Sequence, residues 1–262
     1  MPLRPWWSSS LPAAVLALAL LVGSPAARAE TLVIAGDPWC PVNCEPGSAQ
    51  PGIFVELAQD IFAEAGIEVK YRLINWARAL HAARRGRINA VIGAGQADAP
   101  DFLFTPTPVS LSRMCFYVLA DSGWRFTGWQ DLGGQRLGVI HDYSYGRELD
   151  AYVQAHGGDP ARVQQAYGDR ALEANIDKLL NGRIDVTVAN TWVMQNWLRR
   201  QGRVGALRNA GCRQPDVAIY LAFSPALASS RRHVELFEAG LRRRQADGRL
   251  QRLLERYGVS EP

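Results

Sequence analysis

From residue 31 the chain alternates between two hydrophobic periods. Thr31–Ala35 (TLVIA) is a short apolar run that stops at Gly36, Asp37 and Pro38, and it is expected to be a strand. From Gly52 the period lengthens. Ile53, Phe54, Leu57, Ala58, Ile61, Phe62 and Ala65 recur at helical spacing, and Gly66 closes the helix. Glu68–Ile74 then reads as a strand, Trp76–Arg85 as a helix ended by Gly86, and Ile88–Ile92 as a buried strand. Strand, helix, strand, helix, strand with short connections predicts a parallel sheet covered by helices. After Asp101–Thr105 and the break at Pro106 and Pro108, Arg113–Ala120 (RMCFYVLA) is again strand-like.

A second series of the same kind follows. Strands are expected at Arg136–Ile140, Arg162–Ala166 and Asp185–Ala189, and helices at Tyr145–His156, Leu172–Leu180 and Trp192–Arg200. Asp216–Phe223 (DVAIYLAF) is a further strand, and two helices fill 229–257. The two series share no sequence repeat. Each is roughly 80–110 residues, an ordinary size for one lobe of a two-lobed α/β protein.

The N-terminus has a different pattern. Arg4 precedes an apolar run from Leu11 to Val22, and Ala27, Arg28 and Ala29 form a small-x-small cleavage site. The run is shorter than the ~20 residues that a spanning helix needs. Residues 1–29 are therefore expected to be a cleaved signal peptide, which places the mature protein in the periplasm. No other stretch is apolar enough for a membrane span, so a polytopic membrane protein is excluded.

Composition adds little beyond this. At 262 residues and 48% hydrophobic the chain buries a substantial core and is not a disordered protein. The formal charge is +4, and the two arginines of residues 1–29 account for half of it. Lys70 and Lys178 are the only lysines. This bias towards arginine is weak support for a polyanionic partner, and no nucleic acid is expected. The eight arginines from Arg231 to Arg256 are interspersed with Glu235, Glu238, Asp247 and Glu255, which reads as a solvated helix face.

Export permits disulfides, and four cysteines allow three pairings. Cys40 and Cys44 share a loop, WCPVNCEPG, that can curl back on itself. This favours Cys40 with Cys44, leaving Cys115 and Cys212 to pair across the fold. The histidines at 81, 141, 156 and 233 have no metal-ligand spacing, so no metal or other cofactor is expected.

Catalytic motifs are sparse. Gly93-Ala94-Gly95-Gln96 has Asp98 where a dinucleotide fingerprint needs its third glycine, and an acid there would repel pyrophosphate. Asp142–Gly146 lacks the leading glycine of a nucleophile elbow. Ser144 reads instead as a helix N-terminal residue whose hydroxyl could meet a polar ligand. Ligands of open α/β sheets bind beyond the carboxyl ends of the strands. Those ends carry Asp37 and Trp39, then Trp76 and Arg78, then Gly95 and Gln96, then Tyr143 and Ser144, then Asn190 and Thr191. All ten are candidate ligand-binding residues, and two tryptophans at equivalent ends suggest a stacking clamp.

The order of these stretches resembles the bacterial extracellular solute-binding proteins of family 3. The resemblance rests on TLVIAGDPW, GIFVELAQDIFAEAGIEV, INWARALHAARRGRINAVIGA and DFLFTPTPVSLSRMCFYVLA. It continues in DLGGQRLGVIHDYSYG, LLNGRIDVTVANTWV and RQADGRLQRLLERYG. It implies a type II periplasmic binding protein fold, two α/β lobes joined by two hinge strands at 112–120 and 216–223. One lobe would hold 30–111 and 221–262, the other 112–220. It also implies a monomer that closes on a small molecule and hands it to a membrane ABC permease or a sensor.

The departures from the family pattern bear on the ligand. Amino-acid binders of this family place an arginine for the α-carboxylate where this chain has Pro100 or Asp101. They place an aspartate for the α-ammonium where it has Asn190. A bidentate carboxylate grip needs a guanidinium and an ammonium favours a full negative charge, so the ligand is expected to be other than a standard α-amino acid. Arg78 could supply a replacement cation. The alternative is a lyase on the same scaffold, similar to cyclohexadienyl dehydratase, with Asp37, Asp98 or Asp101 as its carboxylate.

Overall fold

A computed structural model describes residues 1–3, 30–168 and 170–259. The expected signal peptide lies outside the described residues apart from residues 1–3. In the first series, β1 (Glu30–Gly36) pairs in parallel with β2 (Ile67–Leu73) and with β3 (Ala90–Ala94). The crossovers are α1 (Ile53–Ala63) and α2 (Trp76–Arg84). The apolar face of α1 buries Ile53, Phe54, Leu57, Ala58, Ile61 and Phe62, the residues whose spacing marked the helix.

The chain enters the second sheet one residue after a short edge strand. Strand β4 (Ser110–Ser112) ends in the first sheet and β5 (Met114–Leu119) begins in the second. There, β6 (Leu137–Ile140) pairs in parallel with β7 (Val163–Ala166) and β8 (Val186–Asn190). The helices α3 (Arg147–His156), α4 (Ala171–Leu180) and α5 (Thr191–Arg200) connect or follow them. Strand β9 (Leu207–Cys212) lies antiparallel to β5, and the chain then returns as β10 (Val217–Phe223) to the first sheet, between β3 and β4. The orders are β2-β1-β3-β10-β4 and β7-β6-β8-β5-β9, so each sheet has three parallel strands followed by an antiparallel strand next to a crossing. This is the two-lobed α/β fold of periplasmic binding proteins.

The return crossing occupies 213–216, ahead of the 216–223 stretch expected from sequence, and all of β10 pairs within the first sheet. An apolar run announces a strand, but its neighbours are chosen by contacts far away in sequence. Helix α3 begins at Arg147, not at Tyr145. Asp150 accepts from the Tyr145 N–H and the Ser144 hydroxyl, and Gly146 has φ 93°, outside the helical region.

The chain ends with α6 (Ser230–Ala246) and α7 (Arg249–Arg256), packed on α1. Their arginines do more than face solvent. Arg244 is 1% exposed and bonds Asp60 and Glu64 of the α1 region, while Arg256 pairs with Glu56. Arg232, and after it the buried His233, bond Glu30 at the start of β1 and hold its carboxyl below the usual range. Cys40 is bonded to Cys44, and Cys115 to its register partner Cys212 across β5 and β9.

Candidate functional site

The first wall of the site grows from the ends of β1 and β3. After β1, Asp37 starts a loop closed by the Cys40–Cys44 bridge. Buried Asn43 organises this loop. Its side-chain amide donates to the Asp37 carbonyl at 2.6 Å and to the Tyr71 hydroxyl at 3.0 Å, and Tyr71 in turn donates to the Cys44 carbonyl. Trp39 projects from the loop onto Gly93. A Cβ at Gly93 would lie 2.9 Å from the indole ring, and the φ there is +79°. Only glycine meets both conditions, so this residue lets the indole lie against the end of β3. Beyond β3, Asp98 folds back and accepts the Gly95 N–H at 2.8 Å. Burial pushes its carboxyl up, against the opposing effects of the Gly95 and Ser144 hydrogen bonds.

The second wall is the loop after β6. Tyr145 is buried and its hydroxyl oxygen accepts the Ile140 N–H at 2.7 Å. Asp150 fixes Ser144 and the Tyr145 backbone. With the loop held in this way, the Tyr143 hydroxyl donates to the Asp37 carboxylate of the first lobe. Burial, then the Asp37 charge, raises the Tyr143 pKa well above its ordinary value, so it remains a neutral donor.

Between the walls lies a cavity with about 630 Å³ of non-atom space, part of it open to solvent. Asp37, Trp39, Trp76, Gly93 and Asp98 line it from one side, and Tyr143, Ser144 and Tyr145 from the other. Ile92 of β3, with Ser112, Met114, Val217 and Ile219 at the crossing strands, forms its base. No Arg, Lys or His is among these lining residues. A wider groove continues between the disulfide loop and the helices α4 and α5, where the Asn196 amide donates to the Cys40 carbonyl at 3.4 Å.

Five of the ten candidate residues thus meet in one cavity: Asp37, Trp39, Trp76, Tyr143 and Ser144. Gly95, Gln96, Arg78, Asn190 and Thr191 are not among its lining residues. Arg78 and Gln96 are exposed. Gly95 holds Asp98 through its N–H. Asn190 is 2% exposed and caps α5, its carbonyl oxygen accepting from the Trp192 and Val193 N–H groups and its amide donating to Ser112. The Thr191 N–H is bonded to the Arg113 carbonyl. Of the three carboxylates considered for catalysis, Asp37 and Asp98 line the cavity, while Asp101 pairs with Arg84 at 2.9 Å near the surface. Sequence reasoning missed the base of the site and the two organisers, Asn43 and Asp150. The base could have been sought where the strand-like runs cross between lobes, but the organisers carry no motif.

Among the described residues no cluster suited to a metal ion occurs, and no helix is long and apolar enough to cross a membrane. The family model for bacterial extracellular solute-binding proteins, family 3, matches residues 32–260. No curated protein matches the chain. Among solved structures, a histidine kinase sensor domain with similarity to periplasmic binding proteins is 21% identical, with a TM-score of 0.70 over 88% of this chain and 98% of that one. An ancestral arginine-binding protein bound to arginine is 18% identical, with a TM-score of 0.69 over 88% and 98%. A structure from work on glutathione import and a cystine ABC importer of Streptococcus mutans is 17% identical, with a TM-score of 0.75 over 89% and 97%. At these identities the likeness is one of fold.

Proposed function

The chain belongs to the bacterial extracellular solute-binding proteins, family 3, and from that membership we propose that it captures a small polar ligand between its two lobes. The lobes move about hinges at Arg113 and 213–216, and the closed protein is presented to a membrane ABC permease or a sensor. The observation that carries this reading is a cavity with both lobes as walls, spanned by the Tyr143–Asp37 hydrogen bond. The protein acts as a periplasmic monomer after residues 1–29 are removed. It needs no cofactor.

The ligand is other than a standard α-amino acid. Nothing at the family's arginine position offers a cation, since Pro100 is exposed and Asp101 is paired with Arg84. Arg78 does not line the cavity, and Asn190 is bonded as a helix cap. Import is the subject of the Streptococcus mutans structure, and sensing is the role named for the histidine kinase domain. The lyase alternative draws support from half-buried Asp98, whose raised pKa would suit an acid–base group. Turnover of prephenate or arogenate would favour it.

A thermal-shift screen of the mature protein against amino acids, amines, sugars and carboxylates tests the proposal. A ligand at a hundred times its Kd adds about 2.7 kcal/mol, which raises the midpoint of a protein this size by about 5–10 °C. A shift of that size with glutamine or glutamate would overturn the exclusion of α-amino acids.

A further inference from the structure

We infer that helix α5 is a latch between the lobes, pivoted at the hinge and fastened at its far end to the disulfide loop, and that it favours the closed arrangement before any ligand binds; this rests on the hinge motion proposed above. The helix begins at the crossing. The Thr191 N–H donates to the Arg113 carbonyl, and the Asn190 amide donates to the Ser112 hydroxyl at the end of β4. From there the two faces of α5 serve different lobes. Met194 and Leu198, four residues apart, are buried in the core of the second lobe, with Trp197 packed against it. Trp192, Asn196, Arg199 and Arg200 follow the spacing i, i+4, i+7 and i+8, which is the other face of the helix. All four meet the first lobe. Trp192 is 7% exposed and belongs to the same apolar cluster as Val42, Ile219 and Tyr257, and among the described residues it is the only buried member of that cluster from the second lobe. The Asn196 amide donates to the Cys40 carbonyl at 3.4 Å, and the Arg200 guanidinium donates to the Cys40 sulfur at 3.7 Å. Arg199 lies beside Gly258, where a Cβ would stand 3.5 Å from its guanidinium.

The distance of each contact from the hinge decides what it does. At about 1.5 Å per residue, Arg200 lies about 15 Å along the helix from Asn190. A rigid rotation of about 15° about the crossings moves the backbone of Trp192 by under about 1 Å and that of Arg200 by up to about 4 Å. Trp192 therefore stays seated in the first lobe as the pivot, while the bonds of Asn196 and Arg200 break. The loop that they hold is rigid. The Cys40–Cys44 bridge closes it, Asn43 and Tyr71 brace it, and Trp39, next to Cys40 in the chain, lines the cavity. Contacts made only when the lobes meet add to the closed population, and affinity for a ligand enclosed by both lobes follows that population. The latch thus sets affinity from outside the cavity, without touching the ligand.

Pulsed electron-resonance distance measurement on the ligand-free mature protein tests this. Lys70 of β2 and Lys178 of α4 are the only lysines, one in each lobe, so amine-directed spin labels mark the pair once the terminal amine is blocked. The natural protein is expected to show a population at the separation of the closed structure. Asn196→Ala/Arg200→Ala is expected to lower the ratio of that population to longer distances by about fivefold or more. Arg200→Glu alone, at an exposed position, is expected to act in the same direction if the double variant folds poorly. A ligand-free natural protein with only the longer distance overturns the latch, as does a distance distribution that neither variant changes. No ligand enters this experiment, so either failure leaves solute capture to be decided by the thermal-shift screen.

Discussion

Asp98 is the residue whose charge state most affects the site. It faces Gly95 and Ser144 directly, Asp150 acts on it through space, and Asp37, Tyr143 and Tyr145 share its cavity. Burial raises its pKa, so the folded protein holds a proton there at a higher pH than an exposed aspartate would. Protonation removes the negative charge of Asp98 from the cavity. Affinity for a ligand that contacts Asp98 therefore changes with pH through the titration of Asp98, on the alkaline side of the range of an exposed aspartate. Titrations across this range should give a shallower pH dependence for Asp98→Asn than for the natural protein. An unchanged dependence would mean that Asp98 does not face the ligand. At this scale the sequence was informative about chemistry and silent about posture. Asp37, Trp39, Trp76 and Tyr143 could be placed at strand ends from hydrophobic pattern alone. That Arg78 is exposed and Asn190 bonded as a cap depends on side-chain direction, which no residue type announces.

Among the elements, the loop after β1 is held by Asn43, Tyr71 and the Cys40–Cys44 bridge, and it carries Trp39 into the cavity. The other bridge joins residues 97 apart and fixes β9 to β5. In the chain-entropy account, closing so long a loop stabilises by about 4–5 kcal/mol, and closing the short one by about 2 kcal/mol. The two bridges should therefore separate stability from binding. Cys115→Ala/Cys212→Ala is expected to lose the more stability in denaturant, and Cys40→Ser/Cys44→Ser the more ligand affinity. Equal losses of affinity would contradict a special role for the loop. The same pairing explains why β9 was not foreseen. Its sequence, LRNAGC, has neither apolar alternation nor β-branched residues, and it becomes a strand because β5 and the Cys212 bridge hold it at the sheet edge. Strand β4 was missed for a related reason. Its three residues, Ser110–Ser112, are too few to show a period, and β10 supplies their partner.

For the whole molecule, the crossings at Arg113 and 213–216 are adjacent. The Arg113–Asp216 pair at 3.0 Å ties one crossing to the other. Movement of one lobe about this point would open or close the cavity, and the Tyr143–Asp37 bond marks the closed side of that motion. The two-sheet plan was legible because each series repeats strand and helix in the order a parallel sheet requires. The exact crossing was not, since the sheet that takes β10 is decided by β3 and β4, more than a hundred residues earlier. Hydrogen–deuterium exchange, with and without the compound giving the largest thermal shift, tests the central claim that the ligand sits between the lobes. The account predicts protection concentrated in 36–44, 75–80, 93–99 and 140–146, the segments that wall the cavity. Protection confined to α6 and α7, or to one lobe alone, would contradict it.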